Sequence, residues 1–254
     1  MIRLEDVHKA FGPNRVLRGL TLEVRDGETL TIIGGSGTGK SVTLKLMVGL
    51  LRPDRGRVWV DGEDIADVDE DRLSAVQSKF GFLFQGAALF DSLTVAENIL
   101  FGVRHLKPDA IDKNGDLAER TLALVGLKPE VARLKPAELS GGMKKRVGLA
   151  RAIAHEPEYI LYDEPTTGLD PIMADVINDL IVDIREKLKI TSIVVTHDMK
   201  SAYKISNRMA MIHEGRFVAA GTPAEIQSSA NAVLRQFITG SSQGPIQMPV
   251  RAFV

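Results

Sequence analysis

The stretch 34–41 limits the possible folds more than any other part of the sequence. It matches the pattern G-x-x-x-x-G-K-[ST] at every fixed position: Gly34, Gly35, Ser36, Gly37, Thr38, Gly39, Lys40 and Ser41. A mostly apolar run precedes it and apolar residues at helical spacing follow it, so the stretch predicts a strand, a phosphate-binding loop and a helix. Glycines let the backbone turn its N–H groups toward phosphate oxygens, and the helix start adds its positive dipole end. A glycine-rich turn that only caps a helix is the alternative.

Within this loop, two side chains have predicted roles in nucleotide binding. Lys40 would reach the β- and γ-phosphates, and the Ser41 hydroxyl would bind Mg²⁺.

Short β-rich runs alternate with helical stretches along the chain, which predicts an α/β domain with a largely parallel sheet. Strands are expected at Ile2–Val7, Leu20–Val24, Thr29–Ile33, Gly56–Val60, Phe80–Phe84, Tyr159–Tyr162 and Ser192–Thr196, followed by a hairpin of 208–213 and 217–220. Helices are expected from Lys40 to Leu51 and from Pro171 to Leu188. The section between Thr94 and Ala154 has helical periodicity, which indicates a helical insertion of roughly 88–157. We expect one domain over residues 1–240 and a tail over 241–254.

Composition excludes several classes of protein. A formal net charge of -1 provides no basic footprint for nucleic acid. The absence of cysteine from the 254 residues excludes disulfides, thiol catalysis and zinc–thiolate sites. No apolar run approaches the roughly 20 residues that cross a bilayer. The acidic residues near Met1 argue against a signal peptide, so the chain is expected to stay in the compartment where it is made.

An acid pair supplies the second part of the predicted nucleotide site. Asp163 and Glu164 directly follow the apolar strand Tyr159–Tyr162. A strand end of this kind places both acids at the carboxyl edge of the sheet, where α/β proteins bind ligands. Asp163 would hold Mg²⁺ through water, and Glu164 would polarise the water that attacks the γ-phosphate. Alone the pair is a weak signal, because many such pairs are solvated turns.

The sequence Leu139-Ser140-Gly141-Gly142-Met143 lies between these two motifs and precedes a helical run. A serine and glycines at a helix start present free N–H groups to a phosphate, although an ordinary helix cap is the alternative. Here the chain resembles the ATP-binding cassette (ABC) family, whose signature is L-S-G-G-Q at this place. The resemblance implies a P-loop NTPase fold with a β-rich edge subdomain and an inserted α-helical subdomain. It also implies that Ser140, Gly141 and Gly142 contact ATP held by a second copy of the chain, in a head-to-tail dimer.

Further residues match the family at its spacing and take their expected roles from that resemblance. Gln85 corresponds to the loop glutamine that senses Mg²⁺ and the γ-phosphate, and His197 to the switch histidine. Asp170, in Gly168-Leu169-Asp170, resembles the loop through which two subunits communicate. Phe11 stands where an aromatic ring stacks on adenine, with a core aromatic as the alternative. Met143 departs from the family's glutamine and puts in doubt the hydrogen bond that glutamine makes across the dimer.

Three segments resemble the Mla-type ATPases of MCE-domain phospholipid transporters. They are the string 84–95, the Met143 signature followed by Lys144-Lys145-Arg146, and the ending around 235–246. This resemblance implies an integral permease, an MCE-domain protein and a small STAS-domain regulator as partners, and a place on the cytoplasmic face of the inner membrane. Residues Ala87–Phe90 would dock on the permease or else pack the helical insertion.

Other readings of the sequence stay open. An ATPase that serves another cargo is one, and an ABC ATPase that acts on nucleic acid or the ribosome is another. Phe253 in the tail is expected to dock on the partner ATPase subunit.

Overall fold

The computed structural model describes residues 1–113 and 116–247. The predicted docking of Phe253 lies outside the described residues. Across the described part of the chain, every helix is too short or too polar to span a bilayer.

Two sheets form the framework. The strands are β1 (Ile2–Phe11), β2 (Asn14–Val24), β3 (Thr29–Ile33), β4 (Arg55–Val60), β5 (Glu63–Asp64), β6 (Phe80–Leu83), β7 (Tyr159–Asp163), β8 (Thr191–Thr196), β9 (Arg208–His213) and β10 (Arg216–Gly221). A four-stranded antiparallel sheet has the order β2-β1-β4-β5, and a six-stranded sheet has the order β10-β9-β3-β8-β7-β6. All neighbours in the larger sheet are parallel except β9 and β10. The predicted α/β fold of a P-loop NTPase with a largely parallel sheet is confirmed.

Helices cover the larger sheet and follow most of its strands. They are α1 (Lys40–Met47), α2 (Glu70–Gln77), α3 (Val95–Leu106), α4 (Pro108–Lys113), α5 (Leu117–Leu124), α6 (Gly141–Ile153), α7 (Pro171–Leu188), α8 (Met199–Ile205), α9 (Pro223–Ser228) and α10 (Ala232–Thr239). Short 3₁₀ turns at Pro129–Arg133 and Pro136–Glu138 precede α6. The helices from α3 to α6 occupy the section with helical periodicity. The bounds of the insertion, of the domain at 1–240 and of the tail at 241–254 stay predictions.

The central strands β3, β7 and β8 are buried along almost their whole length, because both of their faces are covered. Along β7, Tyr159 and Leu161 pack into a core shared with the antiparallel sheet and α1. Ile160 and Tyr162 point the opposite way, into a core formed with α3, α5, α6 and α7. This alternation within one continuous apolar run fixes the strand between two hydrophobic layers.

Most predicted elements are confirmed, and α7 has the predicted bounds. The helix predicted to extend from Lys40 to Leu51 is too long, since α1 ends at Met47. Gly49 adopts a left-handed conformation with φ +70°, which ends the helix, and Leu50 is left exposed. Helices α2, α8, α9 and α10 were not predicted, because their short amphipathic patterns resemble those of turns and loops.

We expect Gly81→Ala to lower the free energy of unfolding by about 1–3 kcal/mol through overpacking. A Cβ atom on Gly81 in β6 would lie 2.1 Å from the main-chain oxygen of Ala152 in α6. The matched control is Gly102→Ala in α3, where a Cβ atom would meet no heavy atom within 4 Å. That substitution should raise the free energy of unfolding by about 0.5–1 kcal/mol, because alanine favours a helix more than glycine does. Urea unfolding checks both, and equal effects of the two substitutions would contradict the close approach of β6 to α6.

Candidate active site

Strand register brings the predicted catalytic segments to one edge of the larger sheet. Ile33 pairs with Thr196, and Asp163 pairs with Val195, so β3, β7 and β8 end almost level. The residues that follow these strands are Gly34, Glu164 and His197. On the far side of β7, Leu83 pairs with Tyr162, which brings the loop of Gln85 to the same edge.

The glycine-rich loop folds round the ammonium group of Lys40. The Lys40 Nζ donates hydrogen bonds to the main-chain oxygens of Gly34 and Gly35, each at 2.9 Å. Gly37 and Gly39 have φ of +75° and +104°, and Gly39 is the N-cap residue of α1, directly before Lys40. Side chains other than glycine rarely adopt these angles, so the loop needs glycine at both positions. Burial lowers the pKa of the Lys40 ammonium, and the nearby Glu164 carboxylate opposes that shift.

Two of the three predicted metal ligands, Ser41 and Asp163, meet between the loop and β7. The Ser41 hydroxyl donates to Asp163 Oδ1 at 2.9 Å, although the two residues come from distant parts of the chain. Burial raises the pKa of the Asp163 carboxyl, and the hydrogen bond from Ser41 opposes the rise. Both groups are hard oxygen donors of the kind that binds Mg²⁺.

Glu164 lies at the centre of the site in a strained backbone conformation, with φ of +49°. Its Oε2 lies 2.9 Å from His197 Nδ1, and its Oε1 lies 3.6 Å from Lys40 Nζ. The hydroxyls of Thr167 and Thr196 donate to the same carboxylate at 3.2 and 3.4 Å. Non-glycine residues in this conformation cluster at functional sites, where the surrounding contacts hold them.

A cleft of about 630 Å³ opens over these groups. It is lined by Phe11, Val16, Gly35, Ser36, Gly37, Gly39, Lys40, Ser41, Val42, Gln85, Glu164, His197 and Phe237. Thr38 lies beside it and donates to the main-chain oxygen of Gly35.

Two aromatic residues border this cleft. Phe11 is 48% exposed, so the alternative that it is a core residue is wrong. Phe237 from α10 is a wall residue that sequence reasoning missed. Its only sequence signal is an apolar position in a short helical pattern, and folding alone brings it to the cleft.

Hydrogen bonds from α8 and α7 hold the turn that carries His197. The main-chain N–H of Asp198 donates to the Thr196 hydroxyl at 3.0 Å. The Asp198 carboxylate accepts from the N–H of Lys200 at the start of α8, and also from the Ser201 hydroxyl. Ser201 in turn accepts from the buried amide of Asn178 in α7 at 2.8 Å. The ring of His197 therefore extends from a turn that two helices fix.

The signature residues and Asp170 lie apart from this cleft, since none is among the described residues that line it. Ser140 begins α6 and accepts from the N–H of Met143 at 3.3 Å, and both Ser140 and Gly141 are exposed. Gly142 is buried, and a Cβ atom there would lie 2.7 Å from Met173. Asp170 is exposed and begins α7 by accepting from two main-chain N–H groups.

The segment Ala87–Phe90 divides between two environments. Ala87 is 1% exposed and packs beside Gly148 of α6, as expected if the segment packs the helical region. Phe90 is 43% exposed, and its ring lies 4.6 Å from that of Phe101, which is also exposed. The aromatic pair of Phe90 and Phe101 is therefore the open apolar part of this region.

A family model and several known proteins match this chain. The family model described as ABC transporter matches residues 17–167. The chain is 42% identical over 264 residues to protein trigalactosyldiacylglycerol 3, chloroplastic, of Arabidopsis thaliana, with 97% of this chain and 76% of that protein covered. It is 39% identical over 247 residues to the probable ribonucleotide transport ATP-binding protein mkl of Mycobacterium tuberculosis, with 97% and 68% covered.

Two further comparisons concern a lipid transport system and a solved structure. The chain is 37% identical over 250 residues to the intermembrane phospholipid transport system ATP-binding protein MlaF of Haemophilus influenzae, with 97% and 93% covered. The dimeric post-hydrolysis state of the ATP-binding cassette MJ0796, bound to ADP and Pi, superposes with a TM-score of 0.81 at 32% identity. That match covers 88% of this chain and 99% of the cassette.

We expect Asp198→Ala to lower the free energy of unfolding by about 1 kcal/mol, because α8 loses its N-terminal cap. Asp198→Asn is the matched control, since asparagine caps a helix about as well as aspartate and should stay within about 0.5 kcal/mol. Urea unfolding of the two variants checks this. A stability of Asp198→Ala equal to that of the unchanged protein would contradict the capping role.

Proposed function

We propose that this chain, which belongs to the ABC transporter family and is an ATP hydrolase coupled to transport, drives phospholipid transport between the inner and outer membranes. The single observation that carries the catalytic part is the Glu164 carboxylate, 2.9 Å from His197 Nδ1 and 3.6 Å from Lys40 Nζ. A carboxylate held at the end of a phosphate-binding cleft is suitably placed to orient and deprotonate a water molecule.

The residues of the cleft have complementary roles in this proposal. Lys40 and the N–H groups of the loop 34–41 bind the phosphates. His197 orients the attacking water together with Glu164, the catalytic base. Phe11 stacks on adenine, an interaction worth about 1–3 kcal/mol for a base on an aromatic ring. Phe237 borders the same cleft and adds apolar surface near that ring.

The donor set fits Mg²⁺, which we propose as the cofactor. Ser41 and Asp163 bring a hydroxyl and a carboxylate within 2.9 Å of each other, and Gln85 lines the same cleft. So few protein ligands suit an ion that keeps several waters and also binds substrate phosphates. Bound Mg²⁺ would neutralise charge that develops on the β- and γ-phosphate oxygens.

We further propose that hydrolysis takes place in a head-to-tail dimer. The exposed Ser140 and Gly141 at the start of α6 lie outside the chain's own cleft, so they are free to meet the nucleotide of a second copy. The dimeric structure of the similar cassette MJ0796 supports this arrangement. Asp170, exposed at the start of α7, would lie on the same interface and carry signals between the two sites.

For phospholipid as the cargo, the support is the similarity to MlaF. The exposed aromatic pair Phe90–Phe101 supports docking of the chain on a membrane partner. An integral permease would dock on that pair, with an MCE-domain protein and a STAS-domain protein in the same complex. Such docking places the chain on the cytoplasmic face of the inner membrane. The similarity to mkl, a probable ribonucleotide transport ATP-binding protein, favours a different cargo, a ribonucleotide, and ribonucleotide transport is the second candidate function.

Glu164→Gln should lower the rate of ATP hydrolysis by about 100-fold or more, because the amide cannot take up a proton from the attacking water. ATP binding should persist, and the ATP-bound dimer should accumulate. The control is Glu158→Gln, next to the opposite end of β7, where an exposed carboxylate is replaced and the rate should stay unchanged. Steady-state phosphate release and sedimentation with ATP check both variants. Near-normal turnover by Glu164→Gln would refute the assignment of the base.

Gentle affinity purification of this chain from its native membranes, followed by mass spectrometry, tests the cargo. We expect a permease, an MCE-domain protein and phospholipid to co-purify. Recovery of a permease with another binding protein would support the ATPase function and refute phospholipid as the cargo. Recovery of a soluble nucleic-acid or ribosomal partner would favour the other class of ABC ATPase. Phe90→Glu is the control for docking, since a charge on the aromatic pair should abolish recovery of the permease without changing ATP binding.

A further inference from the structure

Lys145 is a buried lysine on α6, and it does not belong to the cleft. Its side chain is only 5% exposed, and it is absent from the described residues that line the cleft. The Nζ donates to the main-chain oxygen of Gln85 at 2.5 Å and to that of Glu164 at 3.2 Å. One ammonium group therefore joins the main chains of two residues with proposed roles at the γ-phosphate.

Burying this group has a physical cost that apolar packing would avoid. Lysine is almost never fully buried unless it is paired, because its charge loses hydration. Burial lowers the pKa of the Lys145 ammonium, and the charges of Asp163 and Glu164 oppose that shift. Its hydrogen-bond acceptors among the described residues are main-chain carbonyls. A leucine or methionine would fill the same volume without that cost, so the charge itself needs an explanation.

A second cation on the same helix holds the loop after Gln85. Arg151 donates to the main-chain oxygens of Ala87 and Ala88 at 2.7 and 2.6 Å. These alanines have φ of +60° and +48°, which are consecutive left-handed conformations without glycine. Such strain persists only where neighbouring groups hold the backbone. Lys145 and Arg151 together fix this loop to α6 at Gln85, Ala87 and Ala88.

We propose that Lys145 is a positioning residue, whose ammonium group holds Gln85 and Glu164 in fixed register with each other and with the helix that begins at Ser140. The two held residues follow β6 and β7, which are neighbours in the sheet. The helix α6 starts at the segment that we place on the partner's nucleotide. A shift of α6 when that nucleotide binds is then passed directly to both residues. This inference rests on the proposed roles of Gln85, Glu164 and Ser140.

The test is Lys145→Met, which keeps most of the side-chain volume and removes the ammonium group. The value of kcat should fall by about 10-fold, because misplacement of catalytic groups is costly even when binding is intact. The Mg²⁺ concentration for half-maximal activity should rise by about 10-fold, as expected when the group that orients a metal ligand is lost. The affinity for ATP without Mg²⁺ should stay within about two-fold, because Lys145 does not line the cleft.

Lys144→Met on the same helix is the matched control. The side chain of Lys144 is half-buried, and it makes no hydrogen bond or ion pair with the described residues, so its kcat and Mg²⁺ requirement should not change. Lys145→Gln is the second variant, since its amide can still donate to one of the two carbonyls. It should retain an intermediate kcat and an intermediate Mg²⁺ requirement.

The outcomes separate this inference from the proposed function. Absence of Mg²⁺-dependent hydrolysis in the unchanged protein would refute the proposed function itself. If the unchanged protein hydrolyses ATP and the folded Lys145 variants have the same kcat and Mg²⁺ requirement, only the proposed role of Lys145 is overturned. Failure of both variants to fold would overturn it as well, because Lys145 would then be a determinant of folding and not of position.

Discussion

The contacts of the Glu164 carboxylate with Lys40 and His197 are the interaction on which the rest of the site depends. One oxygen faces His197 and the other faces Lys40, so a single group joins the ends of β3, β7 and β8. The contact requires the register in which Asp163 pairs with Val195. A slip of one residue in β7 would turn its side chains to the opposite faces of the sheet. The two hydrophobic layers that fix the alternation of β7 therefore also fix the geometry of the proposed catalytic site.

Glycines precede or begin two separate helices, α1 and α6, and we propose that both helix starts bind phosphate. At α1 the glycine-rich loop surrounds a lysine and belongs to the chain's own cleft. At α6 the exposed Ser140 and Gly141 lie elsewhere on the surface. Packing against Met173 explains why residue 142 is glycine, but a Cβ atom on Gly141 would make only an ordinary contact with Leu169. Packing thus leaves Gly141 unexplained, whereas the proposed contact with the nucleotide of a second copy would account for a glycine there.

Sequence reasoning could predict what local pattern determines. The strand ends at the site, the glycine-rich loop and the acid pair are each encoded within a few neighbouring residues, and β3, β7, β8 and α7 are confirmed to within one residue. It could not predict Phe237, because a single apolar residue in a short helix gives no sign of which cleft it borders. Sequence reasoning could not predict the contacts of Lys145 either. Its acceptors are main-chain oxygens, which every residue has, and only the packed fold selects two of them.

The departure at Met143 has a structural explanation. Its side chain packs against the core formed by the helices and β7, so it turns into its own chain. The N–H of Met143 donates to the Ser140 hydroxyl, which leaves the start of α6 capped within one chain. Contacts from this segment to a phosphate would therefore come from main-chain N–H groups and the Ser140 hydroxyl, and they do not need a glutamine. Further along the same helix, Lys145 and Arg151 join α6 to the main-chain oxygens of Gln85 and Ala87 within one chain.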